Sequence, residues 1–226
     1  MGLKKLMEWG VIGILKTIFF NFSQFPLRKA IFLPVILSSR SSIAISKVDM
    51  DEGLIISDNI SFGMIKIGFA GDAPFNRKVK TIITIQGSLN FKGKAYIGRG
   101  SVIIVKKGGY LDWGNNSKTT GHSSWSVNNR ITIGDNCLLS WDILFMDGDG
   151  HEITDKTGRI LNQSKPIVIG NHVWIGCRCT ILKGAIIPDN SIIGACSLVT
   201  KSLVFQNSIY FGNDIKMYRS DVQWAD

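Results

Sequence analysis

The chain has 226 residues, 45% of them hydrophobic, enough to bury one large core or two small ones, and this excludes a disordered polymer. Against 17 Asp and Glu stand 26 Lys and Arg, a formal net charge of +9 that attracts anionic ligands, nucleic acid or a membrane surface without choosing among them. Four cysteines (Cys137, Cys177, Cys179 and Cys196) do not make a disulfide framework, and the close Cys177/Cys179 pair lacks a second pair at zinc-site spacing, so a reducing cytoplasm and no metal site are expected.

Residues 1–60 read as a short N-terminal cap, partly helical or irregular. The opening "MGLKKLMEWGVIGILKTIFFNF" has basic residues and then an apolar run, but Lys16 interrupts it and no small-residue cleavage site follows. The run is shorter than the roughly 20 residues a spanning helix needs. "KAIFLPVIL" contains Pro34 and is shorter still. Packing against the rest of the protein and a weak peripheral association with an anionic leaflet both fit this segment.

From about residue 61 to 205 a fixed period dominates. Ile85, Phe91, Ile97 and Ile103 fall six apart, with Leu89, Ala95 and Ser101 four after the first three. The step lapses over "GNNSKTTGHSSWSVNNR", so a loop or irregular coil is expected near 114–130, with His122 inside it. Ile133, Leu139 and Phe145 resume the step, and a second interruption near 147–165 carries His151. Ile169, Ile175, Ile181, Ile187, Ile193 and Val199 then keep it without a break, with Val173, Cys179, Ala185, Ser191 and Ser197 four after each of the first five. Six is not a helical spacing. Short period-two strands ended by Gly, Pro or Asn/Asp turns place both sets inward, and three such strands complete one triangular turn of a parallel β-helix. Cys137 and Cys179 fall in the small inward slots. Interruptions are tolerated where they project from the stack, and projecting loops are where chemistry is placed. Residues 206–226 read as a C-terminal tail, in which "IKMYR" has the look of a short capping helix.

The tract "IVIGNHVWIGCRCTILKGAIIPDNSIIGACSLVTKSL" resembles the hexapeptide-repeat acetyltransferases, and "WDILFMDGDGHEITD" followed by "PIVIGNHVWIG" is similar to their branch acting on sugars and surface polysaccharides. The resemblance implies an all-β fold, a left-handed parallel β-helix; periodicity does not give the hand. It further implies an acetyl-CoA-dependent O-acetyltransferase with a sugar or glycan acceptor, working as a homotrimer. The alternative acceptor is the amine of a nucleotide-linked amino sugar.

A sugar hydroxyl needs a base with a pKa near 7, which imidazole supplies. The resemblance puts that role on His151. Asp147, Asp149 and Glu152 are available to orient the ring; Asp149 is favoured because it projects to the same side of an extended segment. Trp174 in "NHVWIG" matches a tryptophan that lines the family's cleft, an aromatic plate suited to a sugar or pantetheine. Asp147 and His122 are further substrate-side candidates, and His122 is also the rival base. For acetyl-CoA the matching positions are Ala185, Gly194, Ala195 and Ser197 along an outer groove, with Lys201 and Lys183 for the phosphates. A γ-type carbonic anhydrase shares the repeat but needs closely spaced histidines, whereas His122, His151 and His172 are far apart. No basic helix, zinc knuckle or RNA-binding aromatic motif supports a nucleic-acid partner.

Overall fold

The computed structural model describes residues 3–46, 53–70 and 78–225, and only the backbone of residues 3–8. Residues 47–52 of the expected cap and 71–77 of the expected solenoid lie outside the described residues.

A kinked helix, α1 (Leu3–Gln24), and a single turn, α2 (Leu27–Ala30), precede the strands. The first coil is β1 (Val35–Leu37), β2 (Ser41–Ile45) and β3 (Gly53–Ile56). The second is β4 (Ile65–Phe69), β5 (Thr81–Ile85) and β6 (Ser88–Phe91), and the third β7 (Ala95–Gly98), β8 (Val102–Val105) and β9 (Tyr110–Trp113). The fourth is β10 (Ser117–Thr119), β11 (Ser124–Val127) and β12 (Arg130–Ile133), and the fifth β13 (Leu138–Leu139), β14 (Leu144–Met146) and β15 (Ile167–Ile169). The sixth is β16 (Trp174–Ile175), β17 (Thr180–Leu182) and β18 (Ile186–Ile187). β19 (Ile192–Ile193) and β20 (Leu198–Val199) begin a seventh, and a hairpin, β21 (Ile209–Phe211) and β22 (Lys216–Arg219), closes the stack.

From β1 to β20 every third strand pairs in parallel, after which β21 joins β19 in parallel and β22 joins β21 antiparallel. This gives three sheets, β1-β4-β7-β10-β13-β16-β19-β21-β22, β2-β5-β8-β11-β14-β17-β20 and β3-β6-β9-β12-β15-β18, here called A, B and C. The architecture is the left-handed parallel β-helix expected, with a helical cap at one end and a small closing segment at the other.

Inward side chains stack in register down the axis, as in Ile83, Ile103, Trp125, Phe145, Ile181 and Val199 on sheet B. The middle of the column is aromatic: Phe91, Trp113, Trp125 and Phe145 succeed one another, and Trp125 lies on Phe145 at 3.9 Å between centroids and 13° between planes. Burying such plates is the main source of stability in a coil that has no partner layer of helices.

The corners repeat as strictly as the strands. Between sheets C and A the chain runs Gly-Asn-Asn, Gly-Asp-Asn, Gly-Asn-His and Pro-Asp-Asn, and Asn116, Asn136, His172 and Asn190 all sit at φ between 53° and 58°. Asparagine tolerates this left-handed conformation better than most side chains. The residue before each accepts a backbone N–H from the coil below: Asn115 Oδ1 from Lys94, Asp135 Oδ1 from Asn115, Asn171 Oδ1 from Asp135 and Asp189 Oδ1 from Asn171.

Three expectations are corrected. The solenoid starts at Val35, not at residue 61, because β1 pairs with β4, β2 with β5 and β3 with β6. Residues 114–130 are no interruption but hold β10 and β11 in full register. The period of six persists there through Trp113, Thr119 and Trp125, which are not aliphatic yet all point inward and are buried. "KMYR" is not a helix but the antiparallel strand β22, because β21 offers it an open edge across the turn at Gly212 (φ 106°).

Candidate active site

The three histidines stand at three different corners of the triangle. His122 lies between β10 and β11, where sheet A passes to B; His151 lies in the excursion between β14 and β15, where B passes to C; His172 lies between β15 and β16, where C returns to A. Among the described residues no group of three or more His, Cys, Asp or Glu is placed to hold a metal ion.

The excursion carrying His151 is pinched at its base, where Lys165 N donates to Asp147 O at 3.0 Å. Asp147 is fully buried and caps the corner beneath, its Oδ1 accepting from Asn128 N at 2.7 Å and its Oδ2 from Asn129 N at 2.8 Å. It is therefore an anchor of the loop and not a surface for substrate, which corrects that expectation. Beyond the pinch the chain forms a small hairpin: Thr154 and Ile160 pair antiparallel, and Asp155 Oδ1 accepts from Thr157 N and Arg159 N around Gly158.

A knot of three side chains fixes this hairpin to the stack. Asn162 Nδ2 donates to His151 O at 2.7 Å and to Asp149 Oδ2 at 2.9 Å, while its Oδ1 accepts from Ile153 N at 2.7 Å. Lys183, one coil further on, donates to Asp149 Oδ2 at 2.5 Å and to Asn162 O at 3.1 Å. The Lys183 ammonium, and after it the Asn162 amide, hold the Asp149 carboxyl below the usual carboxylate range. Asp149 thus reaches His151 through Asn162, and its Oδ2 is committed to Lys183. Lys183 in turn faces the Asp149 carboxylate. His151 itself is exposed and, with Asn128, Asp149, Glu152, Ile160 and Ser164, lines a cleft of about 300 Å³. Asn162 has no motif to announce it; only the hairpin turn "DKTGR" hints that residue 153 meets residue 162.

The corner from sheet A to B carries a second set. His122 (φ 51°) sits above Gly100 with its Nδ1 4.0 Å from Asp142 Oδ1. Trp174 points outward from sheet A and donates through Nε1 to Ser140 Oγ at 3.3 Å. Trp224, unmarked by any repeat, folds back onto the C-to-A corner on the other side of Trp174. Its ring stacks on His172 at 4.3 Å and 6°, lies 6.1 Å from Trp174, and its Nε1 donates to His172 O at 2.9 Å.

The expected coenzyme positions separate. Ala185 and Ser197 are buried, filling small inward slots, so neither faces an outer groove. Gly194 is half-covered by the closing strand, where an added Cβ would fall 2.9 Å from Phe211 Cβ. Ala195 is exposed on the A-to-B corner. Lys201 is exposed 4.0 Å from Asp214, on the same B-to-C edge as His151 and Lys183.

A family profile described as Bacterial transferase hexapeptide (six repeats) matches residues 166–201. The polysialic acid O-acetyltransferase of Escherichia coli O1:K1 / APEC is 28% identical over 147 residues, which are 63% of this chain and 44% of that protein. The galactoside O-acetyltransferase of Escherichia coli (strain K12) is 43% identical over 76 residues, 32% of this chain and 36% of that protein. Both matches span less than half the length of these relatives. The crystal structure of the polysialic acid O-acetyltransferase OatWY shares the fold, with a TM-score of 0.53 at 21% identity over 83% of this chain and 88% of that one. With its six-residue step and three parallel sheets, the chain carries the transferase hexapeptide repeat over residues 166–201 and is similar to hexapeptide-repeat acetyltransferases.

Proposed function

We propose that the protein transfers acetyl from acetyl-CoA to a hydroxyl of a sugar or surface polysaccharide, with His151 as the base. The observation that carries this reading is the pinned hairpin: a solvent-facing imidazole whose backbone is clamped by Asn162, on a cleft of about 300 Å³. The sugar and polysialic acid O-acetyltransferases among the similar proteins support the acceptor class.

In this reading imidazole accepts the proton of the acceptor hydroxyl as that oxygen attacks the thioester carbonyl. The C–S bond then breaks, and the imidazolium returns the proton to the departing thiolate. Lys201, on the same edge as His151, supplies positive charge for the coenzyme phosphates. Ala195, Trp174 and His122 lie on the other edge of sheet A's neighbourhood, so one chain does not gather both sets. A homotrimer that sets the B-to-C edge of one copy against the A-to-B edge of the next joins them, with Trp174 as a plate for sugar or pantetheine. Four free cysteines suit a cytoplasmic setting.

The test is transfer of labelled acetyl from acetyl-CoA to polysialic acid, to galactosides and to a nucleotide-linked amino sugar. His151→Ala is expected to lower turnover by about 10²-fold or more, and His122→Ala by much less. Loss of transfer in His122→Ala alone moves the base to His122, and transfer to the amino sugar alone replaces O- by N-acetylation.

A further inference from the structure

α1 is oriented the wrong way round for a helix in water. Its polar side chains face the protein: Thr17 Oγ1 accepts from Leu37 N at 3.0 Å, Asn21 Oδ1 accepts from Val35 N at 3.2 Å, and Asn21 Nδ2 donates to Val35 O at 2.7 Å. Lys16 donates to the carbonyls of Ser39 and Ser41. These bonds occupy the outer edge of β1, which would otherwise present open backbone groups. Because the polar face is turned inward, the apolar face is turned out. Val11, Leu15, Phe19 and Phe22, spaced four, four and three, form one stripe in which Phe19 is 76% exposed, and Leu27 and Phe32 extend it. A contiguous apolar surface of this kind marks an interaction site.

The charges around it identify the partner. Trp9 to Ser46 contain no Asp or Glu; of their cations Lys16 is turned to the carbonyls of Ser39 and Ser41 and Lys29 pairs with Asp58, while Arg28, directly after Leu27, and Arg40 are exposed, and Lys4, Lys5 and Glu8 come just before in the sequence. No helix among the described residues is long and apolar enough to cross a membrane, and the stretch after the kink at Gly10 is about 20 Å long against a hydrocarbon core of about 30 Å. Apolar residues on one side, an exposed arginine at its edge with no acidic residue from Trp9 to Ser46, and a length too short to span describe a helix lying in the plane of an interface.

We propose that α1 and α2 form a monotopic anchor that seats the cap end of the solenoid on a bilayer containing anionic phospholipid. The apolar stripe enters the boundary between headgroups and acyl chains, Arg28 meets the headgroups, and Thr17 and Asn21 stay on β1. His151 plays no part, so the anchor stands or falls apart from the chemistry proposed above.

The full chain is floated with vesicles of phosphatidylcholine alone or with added phosphatidylglycerol, at low and high salt. The chain is expected to float with the anionic vesicles, less with neutral ones, and less again in high salt. Leu15→Asp/Phe19→Asp is expected to weaken partition by at least ~10-fold while its melting temperature, its molar mass by light scattering and its acetyl transfer to a soluble acceptor stay those of the parent; Leu15→Gln/Phe19→Gln repeats the test without added charge. Failure of the parent chain to float with anionic vesicles, or unchanged flotation of both variants, overturns the proposal. A fall in molar mass in the variants also overturns it, because the stripe is then covered by a second copy.

Discussion

Asn162 is the residue on which the candidate site turns, since one amide ties the backbone at His151 to the carboxylate of Asp149 and, through it, to Lys183. Asn162→Ala leaves the coils untouched and frees the hairpin. A displacement of about 1 Å is enough to lower turnover by about 10²-fold, so kcat is expected to fall while KM for acetyl-CoA and the melting temperature hold; stopped assays and thermal unfolding separate the two. pH acts on the same knot. The folded-state pKa of Asp149 is depressed by Lys183 and Asn162, so its contribution is present above the usual carboxylate range and is lost only as pH falls through the lowered value. Lys183→Met removes the larger cause, and loosening of the hairpin on acidification, followed by NMR of residues 149–162, is expected to begin at higher pH than in the parent. The excursion that carries His151 was legible because the step of six lapses between Phe145 and Ile169. Asn162 and Trp224 were not, because each works through a contact across a turn or a fold-back that leaves no spacing in the chain. Ala185 and Ser197 show the reverse: a small residue at the fourth position after an aliphatic one is what an inward slot demands, and reading it as a ligand contact overlooked that demand.

Among the elements, α1 does most to terminate the stack. Asn21 is buried and satisfies both the N–H and the C=O of Val35. Asn21→Ala leaves two buried backbone groups without partners, at about 1–3 kcal/mol each before relaxation, and a drop of that order in denaturant unfolding is expected with no change in vesicle flotation. The strands themselves were readable wherever aliphatic residues held the inward positions. They were missed at 114–130 because Trp113, Thr119 and Trp125 filled the same positions, and missed at 35–56 because buried Ser41 and Gly53 stand there in place of aliphatic residues. Period six is a property of backbone geometry and corner length, so a search restricted to Ile, Leu and Val sees only part of it.

As a whole, the molecule is a column in which each coil depends on its neighbours. The thiols report on that dependence. Cys137 and Cys179 are inward, and burial pushes each thiol up to about 11, whereas Cys177 is half-buried and Cys196 exposed. The thiolate is the reactive form, so at mildly alkaline pH two thiols are expected to react in the folded protein and four in denaturant, by thiol titration with and without guanidinium. Early reaction of Cys137 in the folded protein would mean that the fifth coil opens independently of the sixth. Architecture was legible at this scale, since a repeat states its own geometry, while the two ends were not, because a cap is by nature the place where the repeat stops.

The backbone bond from Lys165 to Asp147 gives the excursion a closed neck. The backbone ladder resumes at Ile167 in register with β12, so the stack meets the segment between those two positions through side chains such as Lys183. Such a neck lets the segment that carries His151 be lengthened, shortened or exchanged as a cassette while the column that carries it stays the same.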